Sequence, residues 1–272
     1  MNKFPISPIF IPGNKLEWIS KTFDKGTDSI ILDLEDSVPA AEKFEARENL
    51  VNHLSNNAYE NLIVRINPIN EQTGKDDILA LAQYSKSISA FMLPKIEENS
   101  SIASLPNINV IALLETPLSI QNISAIAAEE KVKGLALGGA DLSASLGSTM
   151  DWDALLYSRS KIILEAAINN LFTIDSPFMN IADLKALEDE SIKSKDMGFN
   201  GKAAIHPSQI EIIKKSFLPS EDELEEAIDI IKAFKKSSSA VIAFRGRMVD
   251  LPIVLSMEKR LRLVGIDPKN ID

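Results

Sequence analysis

The chain has 272 residues, 45% of them hydrophobic and 25% charged, with a net charge of −10 and no cysteine. That balance excludes a disordered chain, and the acidity excludes a general nucleic-acid binder, which needs a basic surface to release counterions. Disulfides, thiolate metal sites and a cysteine nucleophile are excluded too, and the lack of a signal-peptide layout or a bilayer-length apolar run makes a cytoplasmic, non-membrane protein the expectation.

In chain order, short aliphatic runs over residues 9–12, 29–36, 62–67, 90–95, 109–115, 134–141, 171–175 and 201–206 predict eight strands. Several are apolar throughout, as strands buried on both faces are. Helical periodicity lies between them, as over 76–87, 119–130 and 153–170, where Leu155, Leu156, Ile162, Ile163, Ala166 and Ala167 recur at helical spacing. Eight alternating units within about 210 residues predict a (β/α)8 barrel. A doubly wound open sheet is the alternative, but no G-x-G-x-x-G follows the first strand. Residues 1–218 are assigned to the barrel and 219–272 to a C-terminal extension. In that extension Ser220 caps a charged helix over 219–236 and a serine-rich link covers 235–239. A short apolar segment with a glycine turn spans 240–248, and a last helix covers 252–264.

Catalytic groups of such barrels sit at the carboxyl ends of the strands. Here those ends carry Asp33-Leu34-Glu35-Asp36, Arg65-Ile66-Asn67, Pro94-Lys95, Glu115-Thr116-Pro117, Gly138-Gly139-Ala140-Asp141 and His206-Pro207. Glu115 and Asp141, on consecutive strands, form a carboxylate pair suited to Mg²⁺, or else each caps the helix that follows. Arg65 offers a planar fork to a substrate carboxylate, or forms a structural salt bridge with Asp33, Glu35 or Asp36. Those three acids are expected to bond metal-bound waters and to pair with Arg65. Lys95 is read as a surface or phosphate-facing cation in preference to a Schiff-base lysine. His206 is a general base or a structural donor.

Several blocks then resemble one family. They are Phe10-Ile11-Pro12-Gly13, Ile31-Leu32-Asp33-Leu34-Glu35-Asp36-Ser37-Val38-Pro39, Val64-Arg65-Ile66-Asn67, Met92-Leu93-Pro94-Lys95 and Leu114-Glu115-Thr116-Pro117. Gly139-Ala140-Asp141-Leu142, Gly198-Phe199-Asn200-Gly201-Lys202, Ile205-His206-Pro207 and Gly246-Arg247-Met248-Val249-Asp250-Leu251-Pro252 continue the series in family order. The chain is similar to the citrate lyase β-subunit-like family, within the HpcH/HpaI aldolase/citrate lyase superfamily. The resemblance implies a phosphoenolpyruvate/pyruvate-type barrel, usually trimeric, that uses Mg²⁺ and acyl-CoA or acyl-carrier thioesters.

It further implies that Glu115 and Asp141 hold the metal and that Arg65 grips the substrate carboxylate, with Gly139 and Ala140 beside the substrate. Asp250 is the implied acid/base, reaching a neighbouring subunit's site. The expected reaction is retro-Claisen cleavage of a citramalyl-, malyl- or citryl-type thioester to acetyl-CoA and a small 2-oxo acid. A metal-dependent aldolase of free 2-oxo-4-hydroxy acids, or a non-catalytic subunit that binds an acyl-carrier protein, are the alternatives. The family's Arg-Ser pair before the first strand is replaced here by Ile6-Ser7, a departure on the thioester-binding side.

Overall fold

The structure is a computed structural model that describes residues 5–237 and 239–271. Residues 1–4 of the N-terminal stretch, residue 238 of the serine-rich link and residue 272 lie outside the described residues. The chain divides into two compact units, one running to Lys214 and the other from Lys215 onward.

In the first unit eight parallel strands hydrogen-bond in sequence order. They are β1 (Ile9–Pro12), β2 (Ile30–Asp33), β3 (Leu62–Arg65), β4 (Ala90–Leu93), β5 (Val110–Leu114), β6 (Val132–Leu137), β7 (Phe172–Asp175) and β8 (Gly201–Lys202). The ring closes just past β8, where the N–H of Phe10 donates to the carbonyl of Ala204 at 2.9 Å and the N–H of Ala204 to that of Pro8 at 2.8 Å. Helices α1 (Trp18–Phe23), α2 (Lys43–Leu54), α3 (Gln72–Leu81), α4 (Asn99–Ala103), α5 (Pro117–Gln121) and α6 (Ile123–Ala127) follow the first five strands. Then come α7 (Gly139–Leu146), α8 (Leu156–Asn169), α9 (Leu184–Met197) and α10 (Ile210–Phe217), within which the first unit ends. This is the expected (β/α)8 barrel.

The strands are apolar on both phases because both are buried. Ile31, Ile63, Met92, Ile111, Leu113, Ala136 and Ile174 fill the barrel interior. Leu32, Val64, Phe91, Ala112 and Leu135, on the opposite phase, are buried as well. Continuing the interior phase by two residues leads from Ile31 to Asp33, from Ile63 to Arg65 and from Leu113 to Glu115. Apolar filling therefore gives way to charge at one mouth.

Several elements stop short of their sequence-based bounds. The run 29–36 leaves the sheet after Asp33, whose two carboxylate oxygens accept the N–H groups of Glu35 at 2.9 Å and Ser37 at 3.0 Å and fold the chain into a turn. The run 134–141 ends at Leu137, so Asp141 stands in the first turn of α7 and not on a strand. The run 201–206 pairs regularly only at Gly201–Lys202. The helix expected over 119–130 is the pair α5 and α6, parted at Asn122. The one expected over 76–87 is α3, which starts earlier, at Gln72, and continues into a 3-10 turn, Ala82–Tyr84.

In the second unit Ser220 caps α11 (Glu221–Lys236) through a reciprocal pair: its Oγ accepts the N–H of Glu223 at 3.2 Å and the Glu223 carboxylate accepts the N–H of Ser220 at 2.9 Å. The short apolar segment is an antiparallel hairpin, β9 (Val241–Phe244) and β10 (Arg247–Asp250), followed by α12 (Leu251–Leu263). Its turn residues Arg245 and Gly246 both have positive φ, 45° and 77°, the geometry that matches strand twist in two-residue hairpins. Ala227, Ile230, Ile231, Val249, Val254 and Leu261 form this unit's own core. No helix among the described residues is long and apolar enough to cross a membrane.

Candidate active site

The charged mouth of the barrel opens into a cavity of about 400 Å³. Arg65, at the end of β3, is its organising cation. Its Nε and Nη2 donate side-on to the two carboxylate oxygens of Asp33, both at 2.7 Å. Its Nη1 lies 3.0 Å from Glu35 and 3.4 Å from Asp36, and the guanidinium sits 5.1 Å over the Phe10 ring. Burial pulls the guanidinium pKa down, but the three carboxylates more than offset this and hold it charged. Asp33 shows the complementary balance: burial raises its pKa, and the Arg65 bonds bring it below the ordinary range. The salt bridge weighed for Arg65 is thus present, in a form that fixes the fork within the cavity wall.

Glu35 is buried, and each of its oxygens faces a cation without forming an aligned hydrogen bond: Lys95 Nζ at 2.9 Å and Arg65 Nη1 at 3.0 Å. Burial outweighs that attraction and raises its pKa. Glu115 follows β5 and is buried, with Oε1 accepting the backbone N–H of Lys95 at 2.8 Å. Burial, with the negative charges of Glu35 and Asp141, pushes its carboxyl up to about 8. Gly138, between β6 and α7, is what lets this side chain lie where it does: a Cβ there would stand 2.4 Å from the Cβ and 2.7 Å from the Oε2 of Glu115. Asp141 is half-buried in the first turn of α7. The first bond of that helix runs from the N–H of Leu142 to the carbonyl of Gly138, so the N–H groups of Gly139 and Ala140 have no partner within the helix.

The cavity therefore gathers Asp33, Asp36, Arg65, Glu115, Gly139, Ala140 and Asp141. Among the described residues no three His, Cys, Asp or Glu side chains form a ready metal cage. Asp250 belongs to the other unit, where it caps α12 and accepts the N–H of Ile253 at 3.4 Å. His206 is exposed and structural, its Nδ1 paired with Ser208 at the start of a 3-10 turn.

Lys95 is exposed, as its surface-cation reading expects, and the Schiff-base reading finds no support. Its ammonium is tied to Glu35, which raises its pKa and makes it a poor Schiff-base nucleophile. A second charged cluster escaped the sequence reading. Asp175, at the end of β7, is fully buried and accepts from Arg159 at 2.9 Å, Lys202 at 2.8 Å and Ser194 at 2.5 Å. Lys202 also donates to Glu190 and to the carbonyl of Ser176, both at 2.7 Å. For Asp175 the available signal was a charge closing an apolar run, as at Arg65 and Glu115; Lys202 lies near the start of its run, ahead of Ala203-Ala204-Ile205, and carries no such signal.

Residues 7–207 match the HpcH/HpaI aldolase/citrate lyase family. The chain is 31% identical to citrate lyase subunit beta of Leuconostoc mesenteroides subsp. cremoris, covering 94% of this chain and 92% of that one. It is 30% identical to the mitochondrial citramalyl-CoA lyase of Homo sapiens, covering 94% and 84%. Its fold matches a crystal structure of the Mycobacterium tuberculosis protein CitE in complex with magnesium, acetoacetate and coenzyme A, with a TM-score of 0.86 and 31% identity over 97% of this chain and 99% of that one. The barrel, its charged mouth and these likenesses agree, and the chain belongs to the HpcH/HpaI aldolase/citrate lyase family of carbon–carbon lyases.

Proposed function

We propose that the protein is a Mg²⁺-dependent lyase that cleaves a 3-hydroxyacyl thioester of the citramalyl-, malyl- or citryl-CoA type to acetyl-CoA and a 2-oxo acid. The convergence of Glu115, Asp141 and Arg65 on one cavity carries this reading. Mg²⁺ accepts one or two protein carboxylates and completes its octahedron with water and substrate oxygens, which fits a pair better than a cage. The space at Gly138 and the unbalanced acidity around Glu115 support the fit. Bound there, the ion supplies Lewis acidity to the hydroxyl oxygen that becomes the oxo group.

Arg65 would grip the carboxylate of the 2-oxo acid, with Asp36 the partner to give way, because it is exposed and its 3.4 Å pairing is the longest of the three. Asp33 and Glu35 keep the fork aimed. The free N–H groups of Gly139 and Ala140, at the positive end of α7, suit the same carboxylate. Asp250 would protonate the departing thioester enolate, or take the methyl proton in the condensing direction. Arg65 is the one Lys or Arg among the described residues that line the cavity, against five carboxylates. A 2-oxo acid with a second carboxylate would bring that charge to a wall without a counterion, which favours citramalyl and malyl over citryl thioesters. A cytoplasmic homotrimer is part of the same proposal.

Purified protein assayed on the three thioesters, with and without EDTA, tests it. Cleavage is expected for citramalyl- or malyl-CoA and is expected to stop on chelation. Full turnover without divalent metal, or cleavage confined to free 2-oxo-4-hydroxy acids, overturns the reading.

A further inference from the structure

Among the described residues three non-glycine positions have positive φ: Lys95, Asn170 and Arg245. Asn170 ends α8 and Arg245 turns the hairpin, so local turn geometry accounts for both. Lys95 does neither. It follows Pro94 at the mouth of the barrel with φ +51°, in the left-handed region that an L side chain enters only at a cost. Non-glycine residues stay in this region only where the surroundings hold them. Beyond the turn, two contacts hold it there. The backbone N–H of Lys95 donates to Glu115 Oε1 at 2.8 Å, and its Nζ lies 2.9 Å from Glu35 Oε1.

We propose that Lys95 is a positioning residue for the cation site, and that its left-handed backbone, not its ammonium, fixes Glu115 as a ligand. With Oε1 taken by the N–H, the carboxylate cannot rotate freely, and Oε2 is left on the side of Gly138 and the α7 turn that carries Asp141. The ammonium acts elsewhere, neutralising the buried Glu35 carboxylate. The inference rests on the reading of Glu115 as a cation ligand.

Substitution separates the backbone's role from the ammonium's. Lys95→Gly, Lys95→Asn, Lys95→Ala and Lys95→Val all delete the ammonium equally, but they tolerate the left-handed region in descending order. Losing a positive charge beside the site favours a cation, so Lys95→Gly is expected to bind Mg²⁺ at least as tightly as the parent chain. Lys95→Val relaxes to an extended backbone and must be driven back on binding, which weakens affinity by roughly tenfold relative to Lys95→Gly. Asn and Ala fall between, in that order.

Isothermal titration with Mg²⁺ alone, on protein whose thermal melt shows it folded, gives the readout. If Lys95→Val fails to fold, the Gly, Asn and Ala series carries the test. Equal affinities across the series, or a loss in Lys95→Gly as large as in Lys95→Val, overturn the role of the backbone while Mg²⁺ binding stands. Absence of Mg²⁺ binding by the parent chain, or unchanged binding in Glu115→Gln, overturns the cation reading and this inference with it.

Discussion

As the proposed cation ligand, Glu115 would have to carry a negative charge where burial and two neighbouring acids oppose it, and its carboxyl is pushed up to about 8. At neutral pH it keeps its proton until a cation takes that place. Cation binding must then release close to one proton at pH 7, and apparent Mg²⁺ affinity should climb with pH, by up to about tenfold per unit below 8, and level off above it. Titration at pH 6, 7, 8 and 9, in buffers of different ionisation heat, measures both. A flat profile with no proton release would remove Glu115 from the ligand set. The sequence picked out this residue, Arg65 and Asp141 together because each is a charge at or just past the end of an apolar run, and the structure brings all three to one cavity. The backbone of Lys95 was not legible in this way: nothing in the sequence marks a lysine with positive φ, since the contacts that hold it come from residues 35 and 115.

Strands β7 and β8 are joined at their ends by charge as well as by hydrogen bonds. Asp175 and Lys202 both lie on the phase opposite the barrel filling and meet Arg159 of α8 with Glu190 and Ser194 of α9. Burial raises the pKa of Asp175, but the two cations more than offset this and hold it at about 2. Because its folded pKa lies below the ordinary 3.8, the stability it contributes is present above that pH and is lost as the pH falls toward 2. Replacing Lys202 by methionine would leave buried carboxylates short of a counterion, and should destabilise the fold by roughly 3–5 kcal/mol in urea unfolding at pH 7. The double variant Lys202→Met with Asp175→Asn should recover part of that loss, because the excess charge goes with its partner. Simple additivity of the two losses would show that the pair is not coupled. The sequence located these strands and left their ends uncertain for a physical reason. An apolar run continues for as long as burial does, whereas a strand stops where its neighbour stops pairing, as at Asp33 and Leu137. Asn122, which parts α5 from α6, sits inside a periodicity that gives no sign of a break.

At the scale of the whole molecule, the acid/base role proposed for Asp250 predicts which chain's barrel it serves. The unit that carries it has its own core, and Asp250 caps α12 there through one long bond of 3.4 Å, a weak tie that leaves the carboxylate available. Met248, Leu251 and Leu255, close to it in sequence, are exposed apolar side chains of the kind that marks an interaction surface. If the acid/base aspartate is supplied across a subunit boundary, each site combines Glu115 of one chain with Asp250 of another. Glu115→Gln and Asp250→Asn would then each be inactive alone. Mixed, unfolded and refolded together, they would form some sites with an intact Glu115 from one parent and an intact Asp250 from the other. Random assembly of a symmetric oligomer makes these about a quarter of all sites, so about a quarter of parental activity should return. If Asp250 serves its own barrel, no hybrid site is whole and the mixture stays inactive. The same mixture, run through a sizing column before assay, ties recovered activity to the hybrid oligomer, and activity in a monomer fraction would defeat the shared-site assignment outright.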